Sequence, residues 1–309
     1  MDRSLYTYLF LIVISLQACG QKAESSKEAT TQQAPISFEL NKAFGDYWYQ
    51  GKAELASYEL TQVRYGEKRE GDAVLIFVTE DFSELKQVKL DRPSQNPEDV
   101  QKVMKLNFTK KFETGIYPYS IMTSTFSPVY PEQDLHAVKV TTSVQEWCGH
   151  VFMQLNKKGS EYETLIRSYF ESEGDQNSSI DLNWNEDELW NMIRLSPASI
   201  PSGNTMMIPS TMFLRLKHLS LRAYKATIEK DVKGETTVLK LNYPALKRSM
   251  SITYVTAFPH SILSWEESYP EADQMMTTSG KLKEKILLDY WNKNSNADSI
   301  YRKQLKLAH

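Results

Sequence analysis

The sequence predicts a mainly β fold: a single large antiparallel β-domain, either a curved half-barrel or a sandwich, with one inserted helix and a short C-terminal helix. Three observations point there. From residue 36 onward, aromatic and β-branched residues alternate with polar ones. Turn signals recur at short spacing between these runs. Pro and Gly are spread along the chain and gather into no internal linker, and no repeat of fixed period is visible.

Taken in order, Ala73 to Thr79 (AVLIFVT) is a continuous apolar run suited to a buried strand, and the 66–71 segment before it reads as a hairpin turn. Strand-like runs follow near 101–112, 116–126, 135–145, 147–156 and 161–172. A helix is expected over 185–195, where Glu186, Asp187 and Glu188 put acids in the first turn and Leu189, Met192 and Ile193 share a face. After Pro197 and Pro201, strands resume near 205–217, 221–231, 236–243, 249–257 and 261–268. Over 278–291, Lys281, Lys283 and Lys285 alternate with Leu282, Glu284 and Ile286, which favours a strand, although Leu282, Ile286 and Tyr290 also fit a helix. The 297–307 piece reads as a short helix with Ile300, Leu305 and Leu307 as its apolar positions.

The first 35 residues follow a different logic. A short polar start with Arg3 precedes the apolar core LFLIVI (Leu9 to Ile14), which is too short for a bilayer span of about 20 residues. Leu16-Gln17-Ala18-Cys19 follows and resembles the lipobox of bacterial lipoprotein signals. That resemblance implies cleavage after residue 18, a diacylglycerol on Cys19 and a membrane reached through the lipid. Gly20 is not the aspartate that retains such proteins in the inner membrane of enteric bacteria, so an outer-membrane home in the cell envelope is expected. Residues 20–34 hold almost no apolar side chain and read as a flexible tether, giving a signal peptide at 1–18, a tether at 19–35 and a β-rich domain at 36–309.

Composition excludes some classes. Lys+Arg is 36 and Asp+Glu is 39, a net charge of −3, so no basic surplus points to nucleic acid. There are two cysteines; with Cys19 spent on lipid, Cys148 has no intrachain partner. There is no G-x-S-x-G, P-loop, glycine-rich dinucleotide turn or H-E-x-x-H, and His136, His150, His218, His260 and His309 do not cluster in sequence. No cofactor is implied.

One hairpin offers candidate site residues. Pairing Asn156 with Glu161 across a four-residue loop, 157–160, brings the apolar face of Trp147, Val151, Met153 and Leu155 onto that of Tyr162, Ile166 and Phe170. The opposite face then carries Glu146, Cys148 and His150 against Arg167 and Glu171, with Glu173 beyond. Cross-strand neighbours would be His150–Arg167, Cys148–Tyr169 and Glu146–Glu171. Carboxylates with imidazole suit a divalent cation. A solvated strand face with one small buried thiol is the plainer reading.

Trp147-Cys148-Gly149-His150 resembles the front of the W-C-G-H-C motif of thioredoxin-like disulfide isomerases, but Val151 stands at the resolving-cysteine position and the surroundings alternate like a strand. The run of antiparallel strands with an inserted helix, behind a signal peptide, looks like the half-barrel periplasmic lipoprotein carriers, which implies an apolar concavity for acyl chains. The pieces YWYQGKAELASYEL, QEWCGHVF, SYFESEGD and FPHSILSWEESY are similar to uncharacterised lipoproteins of Bacteroidetes. Such proteins are sometimes called septum formation inhibitor Maf. Maf nucleotide pyrophosphatases open with a Ser-x-Ser-x-Arg-Arg-type loop in an α/β domain, and this chain has neither.

The expectation is a membrane-anchored module that binds a lipid, a glycan or an envelope protein, or that serves envelope assembly, without catalysis. It predicts an apolar groove lined by Tyr, Trp and Met. The rival is a hydrolase or metal-dependent enzyme centred on Glu146, His150 and Glu171.

Overall fold

The computed structural model describes residues 42–130 and 135–308. The signal segment 1–18, Cys19 and the tether through residue 35 lie outside them. The chain is mainly β. Its strands are β1 (Ala53–Arg64), β2 (Glu67–Ser83), β3 (Val88–Lys89), β4 (Val100–Thr114), β5 (Tyr117–Pro128), β6 (Lys139–Glu146), β7 (Gly149–Lys158) and β8 (Glu161–Ser168). They continue as β9 (Gln176–Asp181), β10 (Trp184–Asn185), β11 (Gly203–Ile208), β12 (Tyr224–Lys233), β13 (Thr236–Tyr243), β14 (Arg248–Val255), β15 (Ile262–Glu271) and β16 (Gln274–Leu288). The helices are α1 (Lys42–Trp48), α2 (Glu186–Leu195), α3 (Thr211–Leu216) and α4 (Ile300–Gln304).

The strands form one 16-stranded open sheet in the order β10-β11-β12-β13-β14-β15-β16-β1-β2-β4-β5-β6-β7-β8-β9, with β3 beside β2. Neighbours are antiparallel except β10 and β11. First and last strands meet in the middle, where Ala53 pairs with Leu288. The two ends of the order, β9 and β10, are consecutive in the chain.

The sheet curls around α2. Glu186 of that helix reaches Arg248 on β14, Arg194 reaches Glu54 on β1, and Asn191 donates to the carbonyls of Met104 on β4 and Thr125 on β5. Glu188 accepts from the amide of Ala137, just before β6. A flat sheet would separate β14 from β6 by roughly 34 Å, whereas a ten-residue helix is about 15 Å long. Only a curled sheet lets one short helix touch them all.

Asn185 caps α2, accepting from the Asp187 amide, and Glu188 returns the bond to the Asn185 amide. The sequence predicts this start within one residue. The acids do lie in the first turn of the helix, and every residue from Glu186 to Arg194 is buried. Arg248 spans both oxygens of Glu186 at 2.6 Å and holds Glu267 at 2.7 Å, while Arg194 Nη2 lies 2.7 Å from Glu54. Bidentate geometry offsets the desolvation of these charges.

Three local expectations are corrected. The 205–217 run is β11 followed by α3; Pro209-Ser210 ends the strand, and Asp187 accepts from the Thr211 amide to start the helix. A further helix, α1, precedes the first strand. The 66–71 turn is tighter than expected: Tyr65 and Gly66 turn with positive φ, and Gly71 lies inside β2, where a Cβ would come 2.2 Å from the Lys111 carbonyl oxygen. The 278–291 stretch is strand to Leu288, as the lysine alternation predicts.

Candidate functional site

The predicted hairpin forms with a different register. Lys158 pairs with Glu161, so the loop is the two residues Gly159-Ser160, with Gly159 at positive φ. A glycine at the first central position of a two-residue turn favours this tighter closure. The slip is two residues, so side chains within the paired stretch 151–158 and 161–168 keep their predicted face while their neighbours change. Phe152, not His150, stands opposite Arg167.

A second correction lies at the other end of β7. Glu146 pairs with Gly149 across β6 and β7, which leaves Trp147-Cys148 as a hairpin turn rather than strand. Trp147 is 69% exposed and not part of the apolar face. Cys148 is exposed too; its amide donates to Glu146 at 2.7 Å. Hydrogen bonding and charge from Glu146 push the thiol pKa up, the reverse of an activated cysteine.

The other candidates disperse. His150 is exposed on β7. Arg167 turns along the sheet to the Gln176 carbonyl at 3.0 Å and Asn177 at 2.9 Å. Glu171 is exposed in the turn after β8. Glu173 folds back to Ser168 at 2.6 Å, His218 at 2.7 Å and Arg215. Burial opposes its ionisation, but those hydrogen bonds and the Arg215 charge hold its pKa below the usual carboxylate value. Glu146 and Cys148 rim a small pocket of about 200 Å³ with Arg64, Arg215 and His218. Arg64 is already committed there, donating to the Leu216 carbonyl and to the hydroxyls of Tyr65 and Tyr119. Among the described residues no group of three or more His, Cys, Asp or Glu is arranged to hold a metal ion.

The inside of the curl offers little room. Phe108, Trp190 and Trp265 pack there with ring centroids 4.9–5.5 Å apart, and the cavity beside them is about 20 Å³. That is space for about one water molecule. Lys110 lines it, fully buried; burial lowers its pKa, and Gln62 accepts from it at 3.4 Å.

The large apolar opening is on the outer face. Leu55, Val74, Ile76 and Leu288 point outward from β1, β2 and β16, opposite in phase to the core residues Ala56, Leu75 and Phe77. The chain after β16 returns across this face as a strap. Ser57 donates to the Leu305 carbonyl at 2.5 Å, Lys283 to the Lys306 carbonyl at 2.6 Å, and Asp72 accepts from the Ala308 amide at 2.7 Å. Between strap and sheet runs a groove of about 790 Å³. Leu305 and Leu307 form its far wall; Lys111, Arg302, Asp72 and Glu113 line it as well. Phe112, Tyr119, Tyr290 and Tyr301 supply aromatic lining, but among the described residues no Trp or Met does, so the expected lining is matched only in tyrosine. The sequence signal for this face was weak: β2 is apolar on both phases, which marks a strand covered on both sides without saying by what.

No family model, curated protein or solved structure matches this chain. Among the described residues no helix is long and apolar enough to cross a membrane.

Proposed function

We propose that this chain is a lipid-anchored, non-enzymatic binding module of the cell envelope that holds the acyl chain of a ligand in its outer-face groove. The observation that carries the reading is the groove itself: about 790 Å³, apolar along its floor and charged at its edges. Its size falls within the usual range of ligand sites. Outward positions of β2 from Glu70 to Ile76 run roughly 20 Å; Val74 and Ile76 form the apolar half, suited to an acyl segment, and Glu70 and Asp72 the charged half. Each methylene buried there would contribute about 0.8 kcal/mol. The lipobox-like Leu16-Gln17-Ala18-Cys19 supports the anchor.

Native mass spectrometry of the full chain, taken from its own envelope, tests the groove. The expected result is a non-covalent acyl lipid on the natural chain and its loss from Val74→Arg with unaltered melting. Val74 lines the groove but belongs to none of the hydrophobic clusters, so the variant is expected to fold. A lipid-free natural chain, or a variant that keeps its lipid, contradicts the reading. Cys19→Ser is expected to move the protein from the membrane to the soluble fraction; retention with unaltered mass contradicts the anchor.

A further inference from the structure

We propose that the ligand of this groove carries a saccharide headgroup, bound in a second cleft directly beside it. The inference rests on the groove reading and adds the other half of an amphiphile.

The two openings share a strand and a strap. Val74 and Ile76 line the groove; Val78 and Glu80, the next outward positions of β2, line a cleft of about 550 Å³. In the strap, Tyr290 lines the groove and Trp291 lines the cleft, their rings 5.4 Å apart. Successive outward positions are about 6.6 Å apart, so the two openings lie one or two steps apart on β2, with Val78 buried against strap residues between them.

The chemistry changes over that distance. The cleft is lined by tryptophan and tyrosine with few aliphatic side chains, whereas Leu55, Val74, Ile76, Leu288, Leu305 and Leu307 give the groove its aliphatic part. Trp291 is 46% exposed, Tyr49 43% and Tyr130 51%, and the two tyrosine hydroxyls are 2.9 Å apart. Ring faces of this kind offer a flat apolar surface beside polar tips, which matches a sugar ring with its C–H face and surrounding hydroxyls.

Two buried polar atoms at this cleft lack a partner among the described residues. One is Oε2 of Glu80, whose side chain is nine-tenths buried and whose other oxygen holds Lys105 at 2.5 Å. The other is the indole N–H of Trp48, which is 1% exposed. Buried polar groups are nearly always paired. Both atoms have almost no accessible surface, so a ligand hydroxyl reaches either one only after a side-chain movement.

Charge argues against a cationic headgroup. Lys105 and Lys102 already neutralise Glu80 and Asp81, and Lys52 and Lys89 would repel an ammonium group. Asp81 and Lys102 already pair at 2.5 Å.

The test titrates the full-length Cys19→Ser chain, by tryptophan fluorescence, with dodecyl maltoside, dodecylphosphocholine and free maltose, each below its micelle concentration. The expected result is dodecyl maltoside binding about tenfold tighter than dodecylphosphocholine. Trp291→Ala is expected to erase that preference, leave dodecylphosphocholine unaffected, and be rescued by Trp291→Phe. Equal affinity for the two amphiphiles, or a Trp291→Ala chain that weakens both alike, overturns the saccharide inference and leaves the groove intact. Failure of both amphiphiles to bind overturns the groove, and the inference with it.

Discussion

At Cys148 a two-residue turn sets an exposed thiol beside the Glu146 carboxylate, which raises the thiol pKa. Removing the carboxylate charge should release it. Glu146→Gln is expected to speed iodoacetamide alkylation of Cys148 near neutral pH several-fold, because the thiolate is the reacting form; an unchanged rate would show that Glu146 does not control the thiol. Asp187 gives the opposite lesson, about burial. Desolvation lifts its pKa to about 6 although the hydroxyl and amide of Thr211 donate to it. The unfolded value is near 3.9, so the folded chain binds this proton more tightly. Its contribution to stability is therefore fullest below about pH 4, declines as pH rises to about 6, and then stays low. Asp187→Asn is expected to flatten that segment of the stability curve, measured as urea midpoints at half-unit pH steps. Parallel curves for the two proteins would contradict it.

Elements in this fold are fixed by a few close approaches. Trp265 on β15 lies across Gly280 on β16, its register partner; a Cβ there would meet the indole ring at 2.2 Å. The indole also packs against Tyr58 at 4.8 Å and Phe108 at 5.2 Å, so it has no free direction in which to retreat. Gly280→Ala is expected to cost about 1–3 kcal/mol by overpacking. Gly45 in α1 is the control, since a Cβ there meets nothing closer than 3.7 Å and alanine favours helix. If both substitutions have equal effect on urea unfolding, the close approach is absent. Period-two patterning made most strands legible, including the one ending at Leu288. Turn length was less legible: Gly159-Ser160 closes tighter than the expected four-residue loop, because pattern fixes a face and leaves an even-numbered slip free, and the Trp147-Cys148 turn falls where the pattern favours strand. Thr211–Leu216 was missed because a six-residue apolar run fits either period.

At the scale of the whole molecule, the antiparallel class was readable, but what the curl encloses was not. The inside is a helix tied by buried charge, and each partner sits on the apolar phase of its strand: Arg248 with Met250 and Ile252, Glu267 with Trp265 and Tyr269, Glu54 with Ala56 and Tyr58. A charge on that phase is the sequence signal for such ties. It was hidden because the counter-charges of Arg248 and Glu54 lie on α2, far off in sequence. With the inside filled, the open space lies outward, on the face the C-terminal strap crosses. Photocrosslinking with a diazirine-bearing fatty acid, followed by peptide mapping, asks whether an acyl chain occupies it. The account predicts saturable labelling of the peptides that hold Val74 and Ile76 on β2 and Leu305 and Leu307 in the strap. Labelling concentrated on α2, α3 or the inner residues of β14 and β15, or no saturable labelling at all, would contradict it.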